Sequence, residues 1–171
     1  MSGALVAAAT RGVLFVHSAP AALCPHVEWA VGAAVGARLN LQWTPQPAQA
    51  STWRTELSWT GATGTGARIA SALRGWDRLR YEVTEEPSPG ADGARWSHTP
   101  ALGIHHAVVG AHGDILIGED RLRAAVAGAA DGKISLGAAI DEALGQAWDD
   151  ELEPFRYAGA GAAVRWLHRV G

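Results

Sequence analysis

Short segments in which apolar and polar residues alternate constrain the fold of this chain more than any other feature. An alternation with a period of two is typical of a β-strand that is buried on one face. Residues 39–43, 53–59 and 79–83 show this alternation, and the continuous apolar run at residues 13–17 is typical of a central strand. The sequence therefore predicts four strands in its first half.

Two helices are predicted between these strands. Pro25 suits the first turn of a helix, and Val27 and Val31 recur at helical spacing before Gly36 ends the pattern. Residues 69–76 give a second amphipathic pattern. The predicted order is β-α-β-β-α-β, which is the split arrangement of ferredoxin-like folds, with both helices on one face of an antiparallel sheet.

The second half of the chain is predicted to cover the other face of this sheet. After a Pro- and Gly-rich loop, strands are predicted at 95–99, 104–109 and 114–117, and helices at 119–127 and 136–152, where Pro154 would end the last helix. The tail at 155–171 fits a strand or a helix.

The domain organisation follows from these elements. We expect residues 1–10 to form a flexible N-terminus and residues 11–171 to form a single α+β domain. Its βαββαβ half would span 11–86, and a C-terminal β-hairpin and helical extension over 95–171 would pack on it.

Composition excludes several classes of protein. The 171 residues are 48% hydrophobic and 18% charged, which is typical of a globular domain. The formal net charge is -3 and Lys133 is the only lysine, so a nucleic-acid binder is not expected. A single cysteine, Cys24, excludes an intrachain disulfide and fits a reducing compartment, and no apolar run reaches the roughly 20 residues of a membrane helix. We therefore predict a cytoplasmic protein that does not bind a membrane.

Several phrases of the sequence resemble one protein family. They are RGVLFVHSAP at 11–20, LCPHVEW at 23–29, WTPQP at 43–47, GTGAR at 64–68, SALRGW at 71–76, YEVTEEP at 81–87 and VRWLH at 164–168. The chain looks like an actinobacterial family classed as domain of unknown function 3145. The family has no established reaction, so the resemblance assigns no role to any side chain; the gene neighbourhood of relatives implies a link with lipid metabolism.

A Gly-rich turn before the second helix is the best candidate for a ligand site. The backbone N–H groups of Gly64, Thr65 and Gly66 would point toward one phosphate or carboxylate, and Arg68 would add a bidentate donor. The turn matches neither a Walker loop nor the dinucleotide pattern G-x-G-x-x-G. The structural alternative is a tight turn in which Thr63 or Thr65 caps the helix.

Other chemistry-bearing residues have simpler interpretations. No metal-binding spacing links the seven histidines, so His17 and His26 are predicted as core residues bonded to backbone groups. Cys24 stands at a helix N-terminus, where a thiol pKa can fall, but we favour a small buried hydrophobe. Glu85 and Glu86 are expected to be exposed in a loop.

Two larger groups of residues are also interpreted as structural. The acidic residues at 149–153 are predicted to form a solvated face. Trp43, Trp53 and Trp59 are predicted to fill the core rather than to form a platform for bases, since no basic stripe accompanies them.

We therefore expect a non-catalytic ligand-binding or protein-interaction module with a regulatory role. The expected partners are a second copy of the chain, another protein or a small anionic ligand; no catalytic residue, metal or cofactor is predicted. The alternative is an enzyme, or a binder of phosphate or acyl-coenzyme A-type ligands, that uses the loop at 61–68.

Overall fold

A seven-stranded antiparallel sheet organises the chain in the computed structural model, which describes residues 8–158. Its strands are β1 (Ala9–Pro20), β2 (Thr44–Pro45), β3 (Thr52–Ala62), β4 (Arg80–Glu85), β5 (Gly93–Thr99), β6 (Gly103–Val109) and β7 (Ile115–Leu116). The helices are α1 (Cys24–Val35), α2 (Thr65–Leu73), α3 (Glu119–Ala130), α4 (Leu136–Leu144) and α5 (Gln146–Tyr157), and a 3-10 turn, Ala21–Leu23, precedes α1. The strand order is β2-β3-β1-β4-β5-β6-β7, and each neighbouring pair is antiparallel. The predicted α+β class is confirmed.

Helices α1 and α2 pack on the same face of the sheet. Apolar side chains that point to this face from β1 and β4 alternate with side chains that point to the other face. The buried cluster on the helical face includes Leu14, Val16, Val27, Val31, Trp59, Ile69, Leu73, Tyr81 and Val83. The hydrophobic core therefore lies between the two helices and the central strands.

The strand predicted over residues 39–43 is wrong, because β2 consists only of Thr44–Pro45, in the segment predicted as a loop. Glu28 of α1 provides the reason. Its Oε1 atom accepts hydrogen bonds from the backbone N–H of Leu41 at 3.2 Å and from the indole N–H of Trp43 at 2.8 Å. A side chain thus satisfies the backbone N–H of Leu41, which a strand would have paired, while the apolar residues still alternate.

The helix predicted over residues 136–152 is divided at Gly145, which separates α4 from α5 and has a φ of 82°. A side chain is disfavoured at this φ, and a Cβ atom would also lie 2.7 Å from the His105 ring. Pro154 does not end α5, which continues to Tyr157. The last turn is held against the sheet by Arg156, whose side chain bonds to β4.

The remaining predicted elements of the second half occur within a few residues of their expected bounds. They are strands β5, β6 and β7 and helix α3. Strand β1 begins at Ala9, and the tail predicted over 155–171 lies outside the described residues from residue 159 onward. Between residues 8 and 158, no helix has the length and apolar character needed to cross a membrane.

Candidate functional site

Five charged or ionisable side chains meet on the sheet face opposite α1 and α2. We call them the charge cluster: His17, Glu82, Arg95, Asp149 and Arg156. Glu82 is its centre: it points away from the core residues on either side of it along β4, and it is fully buried on that face under Arg156 of α5. Strands β1 and β5 lie on either side of β4 and supply His17 and Arg95, and α5 supplies the other two.

Glu82 binds three cationic or hydrogen-bonding partners at once. Its Oε2 atom lies 2.6 Å from Nε2 of His17 and accepts a hydrogen bond from Nε of Arg156 at 2.8 Å. Its Oε1 atom accepts from Nη2 of Arg156 and lies 3.1 Å from Nη2 of Arg95. Asp149 links the two arginines, since its Oδ1 accepts from Arg95 and, at 2.8 Å, from Arg156.

The partners of Glu82 set its ionisation. Burial by itself would raise the pKa of this carboxyl, but hydrogen bonds and positive charge from His17 and Arg156 outweigh that effect and hold the pKa well below its usual range. Burial would lower the pKa of Arg156, and the two carboxylates raise it instead. Glu82 therefore stays negative and Arg156 positive at neutral pH.

Part of the hydrogen-bonding capacity of the cluster is unused. Nη1 of Arg156 and Nε of Arg95 are buried and have no hydrogen-bond partner among residues 8–158. His17 bonds to Glu82 through Nε2 only, and its Nδ1 makes no hydrogen bond to the described part of the chain. Purely structural clusters normally satisfy their buried donors.

A cavity of about 280 Å³ adjoins the charge cluster. Its wall combines polar groups, including His17, Arg54 and Arg156, with the aromatic rings of Phe15 and Phe155. Arg54 is half-buried and forms no ion pair or hydrogen bond with any residue between 8 and 158. The cavity therefore offers one unpaired guanidinium and one imidazole nitrogen beside an apolar surface.

The Gly-rich turn predicted as an anion site holds a carboxylate of the chain itself. The backbone N–H of Gly64 donates to Oε1 of Glu85 at 2.6 Å, and that of Gly66 donates to Oε2 at 2.7 Å. These groups begin α2, and Glu85 on β4 caps the helix in place of Thr63 or Thr65. The prediction that Glu85 is exposed is wrong: its side chain is buried against this turn.

The other two predicted ligand-binding residues lie beside this cap. Thr65 is fully buried and its hydroxyl donates to the carbonyl of Ala62 at 2.7 Å. Arg68 is exposed and donates from Nη2 to the Thr65 hydroxyl at 2.6 Å. The structure thus brings Gly64, Thr65, Gly66 and Arg68 together, but two of the three backbone N–H groups already have an acceptor.

The sequence of the chain matches one family model over most of its length. Residues 13–169 match the model of a family described as "Protein of unknown function (DUF3145)". The chain belongs to the DUF3145 family. Comparison of this DUF3145 chain with curated proteins and with solved structures gave no match.

Other residues singled out in the sequence have structural environments in this DUF3145 chain. Burial raises the pKa of the Cys24 thiol, whose Sγ lies 3.6 Å from the carbonyl of Pro20. Glu86 is exposed and pairs with Arg11 at 2.7 Å. No group of three metal-ligating side chains occurs between residues 8 and 158.

The charge cluster was missed by sequence reasoning. Two of its members were interpreted wrongly: His17 was expected to bond to backbone but binds Glu82, and Asp149 was assigned to a solvated face but binds two arginines. The signal that could have found the cluster is the parity of β4, which puts an acidic residue between two core residues of the same central strand.

Proposed function

We propose that this protein is a non-catalytic module that binds a small carboxylic acid with an apolar body in the cavity beside the charge cluster. The observation that carries this proposal is the composition of the cavity wall, in which Arg54 has no partner among residues 8–158 and lies with His17 near two phenylalanine rings. A guanidinium is the preferred protein partner of a carboxylate.

The charge cluster would serve this site by fixing its geometry. Glu82 holds the imidazole ring of His17 and the guanidinium group of Arg156 in place through short hydrogen bonds. A rigid, pre-organised wall lowers the entropy lost on binding. Because Glu82 is committed to its partners, it is not available as a general base, which favours binding over catalysis.

The apolar part of the cavity supports the second half of the proposed ligand. Phe15 on β1 and Phe155 on α5 both line the cavity. A volume of about 280 Å³ lies just below the roughly 300–1,000 Å³ typical of drug-sized ligands. Glu56 also borders the cavity, but its side chain is exposed and solvent screens its charge. A small acid with a short apolar chain agrees with the link to lipid metabolism that the family resemblance implies.

A thermal-shift experiment with matched probes tests the proposal. Hexanoate, hexanamide and hexylamine share an apolar chain and differ in their head groups. Hexanoate at about ten times its Kd should stabilise the protein by about 1.4 kcal/mol, and the other two probes should have no effect. Arg54→Gln should abolish the shift, whereas Arg78→Gln, which changes an exposed arginine outside the cavity, should preserve it. Equal shifts with all three probes, or none with hexanoate, would contradict the proposal.

The alternative of a phosphate- or acyl-coenzyme A-type ligand at the loop 61–68 keeps one supporting observation. The convergent N–H groups of Gly64 and Gly66 have a geometry that holds a carboxylate. An external anion would have to displace Glu85, so inorganic phosphate should stabilise Glu85→Ala more than the wild type. A phosphate effect that is equal in the two proteins would remove this alternative.

The strand order supports a ferredoxin-like arrangement of the first half of the chain. Strands β2, β3, β1 and β4 are neighbours in that order, with antiparallel pairing and both intervening helices on one face. We extend the proposal to a cytoplasmic, regulatory role on these grounds of fold analogy alone.

A further inference from the structure

Helix α3 is the one α-helix between residues 8 and 158 that has no buried residue. None of its twelve residues is buried, and Leu122 and Val126 are 40% and 58% exposed. Only its small residues, among them Gly128 and Ala129, are half-buried on the side toward α4. Helices of this length are marginal in water unless an apolar face is covered.

The exposed apolar residues of α3 form one stripe. Leu122, Val126 and Ala130 are spaced four residues apart, which places them on neighbouring turns of the same helix face. Leu116 on β7, the last strand of the sheet, is 48% exposed and lies three positions before the first residue of α3. Contiguous exposed apolar surface of this kind marks an interaction site.

The ends of the stripe carry opposite charges. Glu119 stands at the first turn of α3, seven residues before Val126, and Lys133 follows the helix seven residues after Val126. The chain folds back at this end, because Lys133 N–H donates to the carbonyl of Gly128 at 3.0 Å, so Lys133 stays beside the last turn. Both charged side chains are about three-quarters exposed.

We infer that α3 is the contact surface between two copies of this chain, packed antiparallel about a two-fold axis at Val126. In this arrangement each residue faces the one at equal distance on the other side of Val126. Leu122 then faces Ala130 of the second copy, and Glu119 faces Lys133 of the second copy at both ends. A surface that is complementary to itself in charge and in side-chain size fits a second copy of the chain better than an unrelated partner.

The existing ion pairs of these charges do not oppose the contact. Glu119 binds Arg123 within α3, and Lys133 binds Asp131, both at exposed positions. Exposed pairs contribute little to stability and exchange easily. The two charges are therefore free to pair across the interface.

Sedimentation equilibrium of the full chain tests the inference. The wild type should be a dimer at roughly 0.1 mM, where an interface of micromolar affinity is saturated. Leu122→Glu should give a monomer, while Leu102→Glu, at a turn between β5 and β6 where the side chain is equally exposed, should remain dimeric. Circular dichroism and thermal unfolding of each variant would verify that it is folded.

A charge swap makes the test specific for the antiparallel arrangement. Glu119→Lys and Lys133→Glu should each raise the dimer dissociation constant several-fold, and the double variant should restore the wild-type value. A wild type that is monomeric at this concentration would overturn the inference. A dimer that withstands Leu122→Glu, or a double variant no tighter than the single ones, would overturn it as well.

Discussion

Replacing Glu85 is the most direct test of how this fold begins its second helix. The carboxylate accepts hydrogen bonds from the N–H groups of Gly64 and Gly66, at 2.6 and 2.7 Å. A bond to a charged group contributes roughly 1.5–3 kcal/mol. Gly66 is buried and would lose its bond fully, whereas Gly64 is partly accessible and water would replace part of the loss. Glu85→Ala should therefore lower the free energy of unfolding by about 3 kcal/mol.

The neighbouring residue provides the matched control. Glu86 is exposed and pairs only with the exposed Arg11, so Glu86→Gln should change the free energy of unfolding by about 0–1 kcal/mol. Glu85→Gln should destabilise by about 2 kcal/mol, because an amide oxygen accepts one N–H but the amide NH₂ faces the other.

Urea unfolding followed by circular dichroism measures these differences. In thermal unfolding, a loss of about 3 kcal/mol should lower Tm by roughly 6–12 °C for a chain of this size. The reasoning is refuted if Glu85→Gln and Glu86→Gln differ by less than about 0.5 kcal/mol, which is the usual range of neutral surface substitutions. It is also refuted if Glu85→Ala is as stable as the wild type.

Three further predictions follow from the described contacts. Glu82→Gln should lower the free energy of unfolding by about 3–5 kcal/mol at pH 7. Because the pKa of the Glu82 carboxyl is lowered in the folded protein, the difference between the two proteins should be complete above about pH 5 and should shrink as the pH falls further. A difference in urea unfolding that does not change with pH would contradict this. Gly145→Ala should destabilise by about 1–2 kcal/mol more than Gly90→Ala, since both have positive φ but only the first places a Cβ against His105. Cys24 should react slowly with a disulfide reagent at pH 7 and rapidly in urea, since burial raises its pKa; rapid labelling of the folded protein would exclude this environment.

Alternating apolar residues predicted β3 and β4, and a continuous apolar run predicted β1. Strands β1, β3 and β4 each contribute residues to one core, and these patterns in the sequence report that burial directly. The same signal failed at residues 39–43. There the chain is half-buried but forms no strand, and Glu28 accepts hydrogen bonds from the backbone N–H of Leu41 and the indole N–H of Trp43. Periodicity therefore reports burial, and it does not report which group satisfies the backbone.

The charge cluster could not be predicted because its contacts are long-range. His17 and Glu82 are 65 positions apart, and Arg156 is 74 positions beyond Glu82. No local pattern selects one arginine among many as the partner of a given glutamate. The break at Gly145 decides where α5 reaches the sheet, and a glycine inside a helical pattern does not by itself reveal a left-handed turn.

Strand β4 connects the two sites through the alternation of its side chains. Glu82 and Glu85 are three positions apart, so they point to opposite faces of the sheet, and each holds a different helix against the strand. Glu82 holds the end of α5 beside the cavity, and Glu85 holds the beginning of α2 on the other face. A ligand in the cavity would therefore leave the cap of α2 intact. It follows that Glu85→Ala should weaken folding without changing the affinity for hexanoate, whereas Glu82→Gln should reduce that affinity.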